Sequence, residues 1–473
     1  MRTVFASIIV LCFLPVFTAA QETFEKIYGG KGDQFGFGAA LMMGGYVVCG
    51  HTAVPGPLIT DAWILRLNTQ GDTIWTRKAG GAGIDDTRSV IVTSDSAIVV
   101  CGSYSQTLPP KSDFFLMKTD LNGDTLWTRH CFSPLNAYGY SVAPAGDGFI
   151  LCGYADSGRT TPRMMMVRTD AEGNPLWTRL YGGAYGTVGY CAIATDEGGF
   201  IACGYIDVLE PSWNRDLYLV RVNGDGDTLW TRRYPASGYD VALCISQADN
   251  RRFVLTGYTN SGGPTGADLY GALLSSDGEI IWGQAFGHTG IDIGYSGIQT
   301  ADGGFIFCGQ GNEQGNEFQG VYLIRTDASG DTLWTRMAGG FPRNTGQCIR
   351  QDNDGGFIIA GATTSASADE LYDVLIMKTD EDGTLTSILP SLLPQQEISI
   401  YSNPEGNLIT IESPDPVSEI HIFDIQGNII AKYQSDPVLV SPVTLSLPPG
   451  THSLVLVRIK TLQNYHIRKV LIP

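Results

Sequence analysis

One seven-residue stretch, Gly226-Asp227-Thr228-Leu229-Trp230-Thr231-Arg232, recurs along most of this chain. Copies ending in Trp-Thr-Arg place tryptophans at Trp75, Trp127, Trp177, Trp230 and Trp334, and Trp282 keeps the station with Trp-Gly-Gln after it. The successive spacings are 52, 50, 53, 52 and 52 residues. A chain that repeats itself at such a period is built from one supersecondary unit that buries its faces against its own copies, as in a solenoid or a propeller.

Each unit reads as four short strands. Between Gly189 and Arg232 these are Gly189-Tyr190-Cys191-Ala192-Ile193-Ala194, Phe200-Ile201-Ala202-Cys203-Gly204-Tyr205, Asp216-Leu217-Tyr218-Leu219-Val220-Arg221 and Thr228-Leu229-Trp230-Thr231-Arg232. The links Asp196-Glu197-Gly198-Gly199 and Asn223-Gly224-Asp225-Gly226-Asp227 are hairpin turns, in which glycine supplies positive φ and Asp or Asn bonds its own backbone. The third strand is apolar on both alternating faces, which requires a sheet covered on both sides. The glycine ending the second strand recurs at Gly50, Gly102, Gly153, Gly204, Gly257, Gly309 and Gly361. Seven units predict an all-β chain, a closed seven-bladed β-propeller followed by a small C-terminal β-sandwich. The tryptophans Trp75, Trp127, Trp177, Trp230, Trp282 and Trp334 are read as structural, packing one blade against the next. Phe24-Glu25-Lys26-Ile27-Tyr28-Gly29-Gly30 aligns with Trp177-Thr178-Arg179-Leu180-Tyr181-Gly182-Gly183, whereas the last unit ends in Gly383-Thr384-Leu385-Thr386 without a tryptophan. Residues 23–28 are therefore expected to join the last blade, beside or in place of that weak strand, and remove an open edge.

The expected divisions are a signal peptide over 1–20, the propeller over 21–387, a linker over 388–396 and a C-terminal domain over 397–473. Met1-Arg2-Thr3, the apolar run Val4 to Phe17 and the small-residue context Thr18-Ala19-Ala20-Gln21 form the secretory signal. No later run approaches the roughly 18 apolar residues of a spanning helix. Glycine is in excess, at 59 of 473 residues, and charged residues are only 16% of the chain, which suits short strands and tight turns and excludes disorder. A net charge of -18 opposes nucleic acid or anionic lipid as a partner.

After Leu389-Pro390-Ser391-Leu392-Leu393-Pro394 the period stops. Tyr401-Ser402-Asn403-Pro404, Ile420-His421-Ile422-Phe423-Asp424-Ile425-Gln426-Gly427-Asn428, Leu445-Ser446-Leu447-Pro448-Pro449-Gly450 and Arg468-Lys469-Val470-Leu471-Ile472-Pro473 resemble the type A C-terminal sorting domain of the type IX secretion system. That resemblance implies export through a Gram-negative envelope with the secretion machinery as a partner, removal of this domain, and release or attachment at the outer-membrane surface. The Asp-x-x-Gly-Asp-Thr-Leu-Trp-Thr-Arg units resemble the tryptophan-bearing propeller repeats of secreted bacterial proteins. They are loosely similar to the docking motifs of quinoprotein dehydrogenases, whose vicinal cysteine pair is missing from this sequence.

The cysteines recur. Cys49, Cys101, Cys152, Cys203 and Cys308 share a second-strand station with Thr256 and Ala360, which fits a slot for a small side chain better than a metal or disulfide ladder. Cys191, Cys244 and Cys348 share a first-strand station with Ser89, Ser141 and Ser296, and Cys191 faces Cys203 across one hairpin. Asn223-Gly224-Asp225-Gly226-Asp227 and Asp352-Asn353-Asp354-Gly355-Gly356 imitate a calcium loop without its glycine at six or glutamate at twelve, and read as turns. No nucleophile elbow, zinc-protease helix or phosphate loop occurs, and no metal or cofactor is expected. Candidate ligand contacts are Trp213, which lies off the beat in a loop, and the blade-to-blade residues Asp33, Asp85, Asp240 and Asp292, which fall before each innermost strand beside a capping role. The longer links gather on one face, where a ligand would sit. The expected function is a secreted or cell-surface non-enzymatic binding or adhesion module for a glycan or protein; the alternatives are a secreted glycan lyase or hydrolase with its site on the loop-rich face, or a purely structural surface component.

Overall fold

The computed structural model describes residues 21–385 and 399–471 apart from 54–58, 82, 106–111, 132–135, 157–160, 209–213, 262–265, 289, 313–318, 340–342, 365–370, 404–407, 413–416, 425–428, 440–442, 449–453 and 462–464. The signal segment 1–20, the linker 388–396 and Trp213 lie outside the described residues.

Seven antiparallel sheets follow one another along the chain, six of them built on a four-strand meander, the fifth with an added two-residue strand, and the last on three consecutive strands and one from the start of the chain. The fourth unit contains Thr187–Ala194, Phe200–Val208, Asn214–Val222 and Thr228–Tyr234. Its second and third strands are buried on both faces, because each sheet is sandwiched between two others. The innermost strands touch in cyclic order, and the circle shuts where Gln34–Met42 meets Asn344–Gln351. The chain is therefore a closed seven-bladed β-propeller. No helix among the described residues is long and apolar enough to cross a membrane.

Phe24–Tyr28 takes the outermost place in the last blade, paired antiparallel with Asp373–Thr379. It stands in place of the weak segment, since Gly383 to Leu385 form no strand. The reason lies in the turn between third and fourth strands. In five blades a side-chain oxygen of Asn or Asp accepts two backbone N–H groups, as Asn223 does from Asp225 at 3.0 Å and Asp227 at 2.8 Å; in the fifth blade Ser275 Oγ accepts one. The turn then passes through a glycine at positive φ, +82° at Gly226. The tryptophan of the preceding blade lies against that glycine: a Cβ on Gly226 would come 3.2 Å from Trp177, and Trp177 Nε1 donates to Gly224 O at 2.9 Å. Tyr181 adds a hydrogen bond to Gly226 O at 2.8 Å. In the first blade Gly71 is met by Phe24, and Tyr28 donates to Gly71 O. Phe24 and Tyr28 thus occupy the places of Trp177 and Tyr181.

The tryptophans are half-buried at the outer rim and clamp the neighbouring turn, while the deep contact between blades comes from second- and third-strand aliphatics such as Ile201, Leu219, Leu255 and Ala272. Trp177→Ala is expected to cost about 2 kcal/mol, below the ~3–5 kcal/mol of a fully buried aromatic, measured by urea unfolding of the propeller.

Beyond the propeller, Ser399–Ser402, Leu408–Glu412 and Val443–Ser446 form a three-stranded sheet, and Ile429–Leu439, Val417–Phe423, Leu454–Thr461 and Tyr465–Leu471 a four-stranded one. Ile409 and Ile411 of the first share one buried cluster with Ile420, Ile422 and Val457 of the second, so the two sheets pack face to face as a sandwich.

Candidate functional site

Every innermost strand carries the same irregularity. Against its second strand the register slips by one residue, between Gly36 and Gly38, Thr87 and Ser89, Gly139 and Ser141, Gly189 and Cys191, Ala242 and Cys244, Gly294 and Ser296, and Gly346 and Cys348. A bulge of this kind re-aims one side chain. The seven extra residues are Phe37, Arg88, Tyr140, Tyr190, Leu243, Tyr295 and Gln347, and all seven line a single cavity of about 220 Å³ in the central channel. The glycine that precedes most of them is required by close approach of the previous blade: a Cβ on Gly139 would sit 2.4 Å from Gly102 O.

In four blades the residue after the bulge hydrogen-bonds to the next innermost strand. Ser89 Oγ donates to Val142 O at 3.4 Å, Cys191 Sγ to Ile245 O at 3.4 Å and Cys348 Sγ to Ala39 O at 3.6 Å, while Ser141 Oγ accepts from Ala192 N at 3.0 Å. Thiol and hydroxyl are interchangeable there because either can satisfy one backbone group across the blade boundary. The five second-strand cysteines are fully buried, all at 0% exposure, and burial raises the thiols of Cys49, Cys152, Cys203 and Cys308. Cys191 and Cys203 are register partners, yet both thiols are free.

The cavity wall is aromatic and cationic. Tyr140 and Tyr190 rings lie 5.0 Å apart, and Tyr154 lies 6.0 Å from Tyr140. The Arg88 guanidinium stands 3.8 Å over the Phe37 ring and 5.7 Å from that of Tyr140. Its Nε donates to Asp86 Oδ2 at 2.7 Å, and its terminal nitrogens make no hydrogen bond among the described residues. Arg350 enters the same cavity three positions further along its strand than Gln347, roughly 10 Å deeper. No carboxylate lines the cavity. Burial raises the phenols of Tyr140 and Tyr190 and pushes Tyr295 up to about 12, so all three stay protonated at neutral pH. His51 packs on Phe37 at 5.5 Å, and burial lowers its pKa, which keeps the imidazole neutral.

The blade-to-blade aspartates are placed elsewhere. Asp85 accepts from Gly81 N and Ser105 N, both at 2.6 Å; Asp292 from His288 N at 2.9 Å and Asn312 N at 3.0 Å; Asp240 from Thr259 Oγ1 and, at 2.6 Å, Ser261 Oγ; and Asp33 from Tyr372 N at 3.0 Å. These carboxylates tie the link entering a blade to neighbouring links, and none lines the cavity. Sequence reading passed over the bulge ring. Its signal was present in Gly36-Phe37, Gly139-Tyr140, Gly189-Tyr190 and Gly294-Tyr295, a glycine-aromatic pair at the period of the repeat.

No protein-family model matches the sequence, and no curated protein does. Among solved structures the chain is similar to a Penicillium chrysogenum α-L-arabinanase, at 12% identity and TM-score 0.43, covering 77% of this chain and 99% of that one. It is also similar to a periplasmic gluconolactonase of Pseudomonas aeruginosa, at 13% identity and TM-score 0.44, covering 65% of this chain and 87% of the other. A puromycin hydrolase matches at 11% identity and TM-score 0.47 over 82% of this chain and 60% of its own. The likeness is one of fold.

These neighbours, enzymes by name, correct the expectation of a non-enzymatic binding or adhesion module. That expectation rested on missing catalytic motifs. A channel lined by one residue per blade spreads its groups at intervals of about fifty residues, so contiguous motifs are the wrong signature for such a site.

Proposed function

We propose that the chain is an exported glycan lyase acting on a polysaccharide whose sugars carry carboxylates. The observation that carries this reading is the composition of the channel cavity: three protonated tyrosines, Arg88 and Arg350, with no acid among the lining residues. Aromatic faces and phenolic hydroxyls suit sugar rings. Glycoside hydrolysis in its usual form needs a pair of carboxylates flanking the bond, and this cavity supplies none. β-Elimination needs a cation to neutralise the substrate carboxylate, a base for the proton α to it and an acid for the departing oxygen.

Arg88 supplies the first. Its free terminal nitrogens meet a carboxylate as a planar fork. The α proton goes to the neutral imidazole of His51, which packs on Phe37 and stands behind the lining residues rather than among them; the ring forms a double bond, the β carbon–oxygen bond breaks, and Tyr140 protonates the leaving oxygen. Tyr190 and Tyr295 hold the flanking hydroxyls. The chain's net charge of -18 does not repel such a substrate at the channel, because the acidic turns between third and fourth strands lie a strand length away, ~20 Å against a Debye length of ~8 Å.

Incubating the mature propeller with a panel of uronate polysaccharides is expected to produce the ultraviolet absorbance of an unsaturated sugar. New reducing ends without that absorbance would mean hydrolysis, and no cleavage of any acidic or neutral glycan would sink the enzyme reading. The rate is expected to be flat through neutral pH. A base is lost as pH falls through its pKa, and the lowered pKa of His51 moves the acid limb of kcat/KM below the ordinary imidazole value of ~6.5. An acid limb above that value would remove His51 from the role.

The proposal extends to the route of export. Residues 1–20 are taken as a cleaved signal and 397–473 as the sorting domain recognised by the type IX machinery, which places the mature propeller outside the cell or on the outer-membrane surface. The order of motifs and the compact two-sheet sandwich support this. Mass spectrometry of both mature termini, in culture supernatant and outer membrane, tests it.

A further inference from the structure

Apart from Cys348, which is buried at its first-strand station, the cysteines of the first and second strands separate into two groups, and the function above uses neither. Those of the second strands are sealed inside the blades. Cys191 and Cys244 are not: they sit at one station on adjacent innermost strands, both partly accessible, and both line the channel cavity. Cys191 Sγ lies 3.4 Å from the carbonyl oxygen of Ile245, the residue next to Cys244, and the two thiols interact. Against the effect of burial, the Gly297 backbone N–H, the positive charge of Arg350 and the Ser296 hydroxyl also favour the Cys244 thiolate. This is a thiolate's environment: hydrogen bonds and a cation favour the charged form. Cys191 supplies the largest of these effects, which together hold the Cys244 thiol below the ordinary range. The matching position in other blades carries serine, Ser89, Ser141 and Ser296, so the backbone contact alone does not require sulfur.

We propose that Cys191 and Cys244 form a redox-active dithiol that reacts with small disulfides entering the channel. Cys244 is the attacking sulfur and Cys191 the resolving one. The Cys244 thiolate attacks one sulfur of the small disulfide, a mixed disulfide forms, and the other half leaves as a thiolate that is protonated by solvent. Cys191 then gives up its proton, attacks the Cys244 sulfur and expels the second half as a thiol. Two protein thiols are oxidised to one disulfide joining the fourth and fifth blades, and one small disulfide is reduced to two thiols. A thiol of near-neutral pKa is the most effective attacker in such exchange. A cavity of about 220 Å³ has room for a small disulfide beside the two sulfurs.

The test uses the full-length protein, folded, with hydroxyethyl disulfide as the probe and intact mass followed by peptide mapping as the readout. Wild type is expected to lose two hydrogens and yield a peptide crosslinked between Cys191 and Cys244, Cys191→Ser to stop at the mixed disulfide on Cys244, and Cys244→Ser to slow reaction at least tenfold. Cys203→Ser, in a sealed slot, should react as wild type. Serine occupies this station in other blades, so both channel variants are expected to fold, which circular dichroism confirms. Absence of any adduct in folded wild type, or an equal slowing by Cys203→Ser, overturns the proposal. Neither result depends on whether the protein cleaves a glycan.

Discussion

Deleting Phe24–Tyr28 is expected to lower the stability of the propeller by roughly 3–6 kcal/mol and to broaden its thermal transition. Phe24 packs on Tyr46 at 6.2 Å and lies under Gly71, and Tyr28 donates to Gly71 O. Both aromatics are half-buried, and each contributes up to the ~1.5–3 kcal/mol of a fully buried side chain. The deletion also uncovers the backbone edge of Asp373–Thr379, to which the five residues are paired. Against a net stability of ~5–15 kcal/mol for a domain, losing that much exposes an edge strand that can pair with another chain. Scanning calorimetry with light scattering measures both effects, and Phe24→Ala should show about half of the loss without the exposed edge. A deletion that unfolds like the parent would mean that the ring is held by its innermost strands alone.

Arg88→Ala is expected to lower kcat/KM on an acidic glycan about 10²- to 10³-fold, the range for removing one donor aimed at developing charge. The guanidinium over Phe37 also contributes packing, so Arg88→Lys is the companion variant. It keeps the charge and loses the planar fork, and an intermediate rate is expected. Tyr140→Phe should cost ~10²- to 10⁴-fold by removing the acid while leaving the ring contact with Tyr190 in place. If Arg88→Ala binds and cleaves as wild type, the carboxylate is held by Arg350 or the substrate is neutral.

Much of the architecture was legible from the repeat. Trp230 and its copies gave the period, Gly204 and its copies the blade count, and the alignment of Phe24 with Trp177 the closure. Trp177 is a rim clamp on Gly226 of the next blade because the hairpin glycine, lacking a side chain, leaves a seat for an indole there. The candidate site was hardly legible. Asp85, Asp240 and Asp292 recur as clearly as any ligand set, but backbone N–H groups and hydroxyls beside them take up their carboxylates. Phe37, Tyr140, Tyr190 and Tyr295 follow a glycine at the repeat period, but Arg88, Leu243 and Gln347 break the pattern in the other three blades. Their shared bulge is a property of strand pairing.

The sequence by itself determined the repeating unit, the number of blades and the strand that shuts the ring, because hydrophobic alternation and turn chemistry act between residues close in the chain. Only the tertiary structure decided what faces the channel. One bulge per innermost strand turns seven residues about fifty positions apart into neighbours, and the same packing sets Cys191 beside Cys244 instead of bonding it to Cys203. Contacts of that kind follow from the angle and radius at which blades meet, which local residue patterns do not encode.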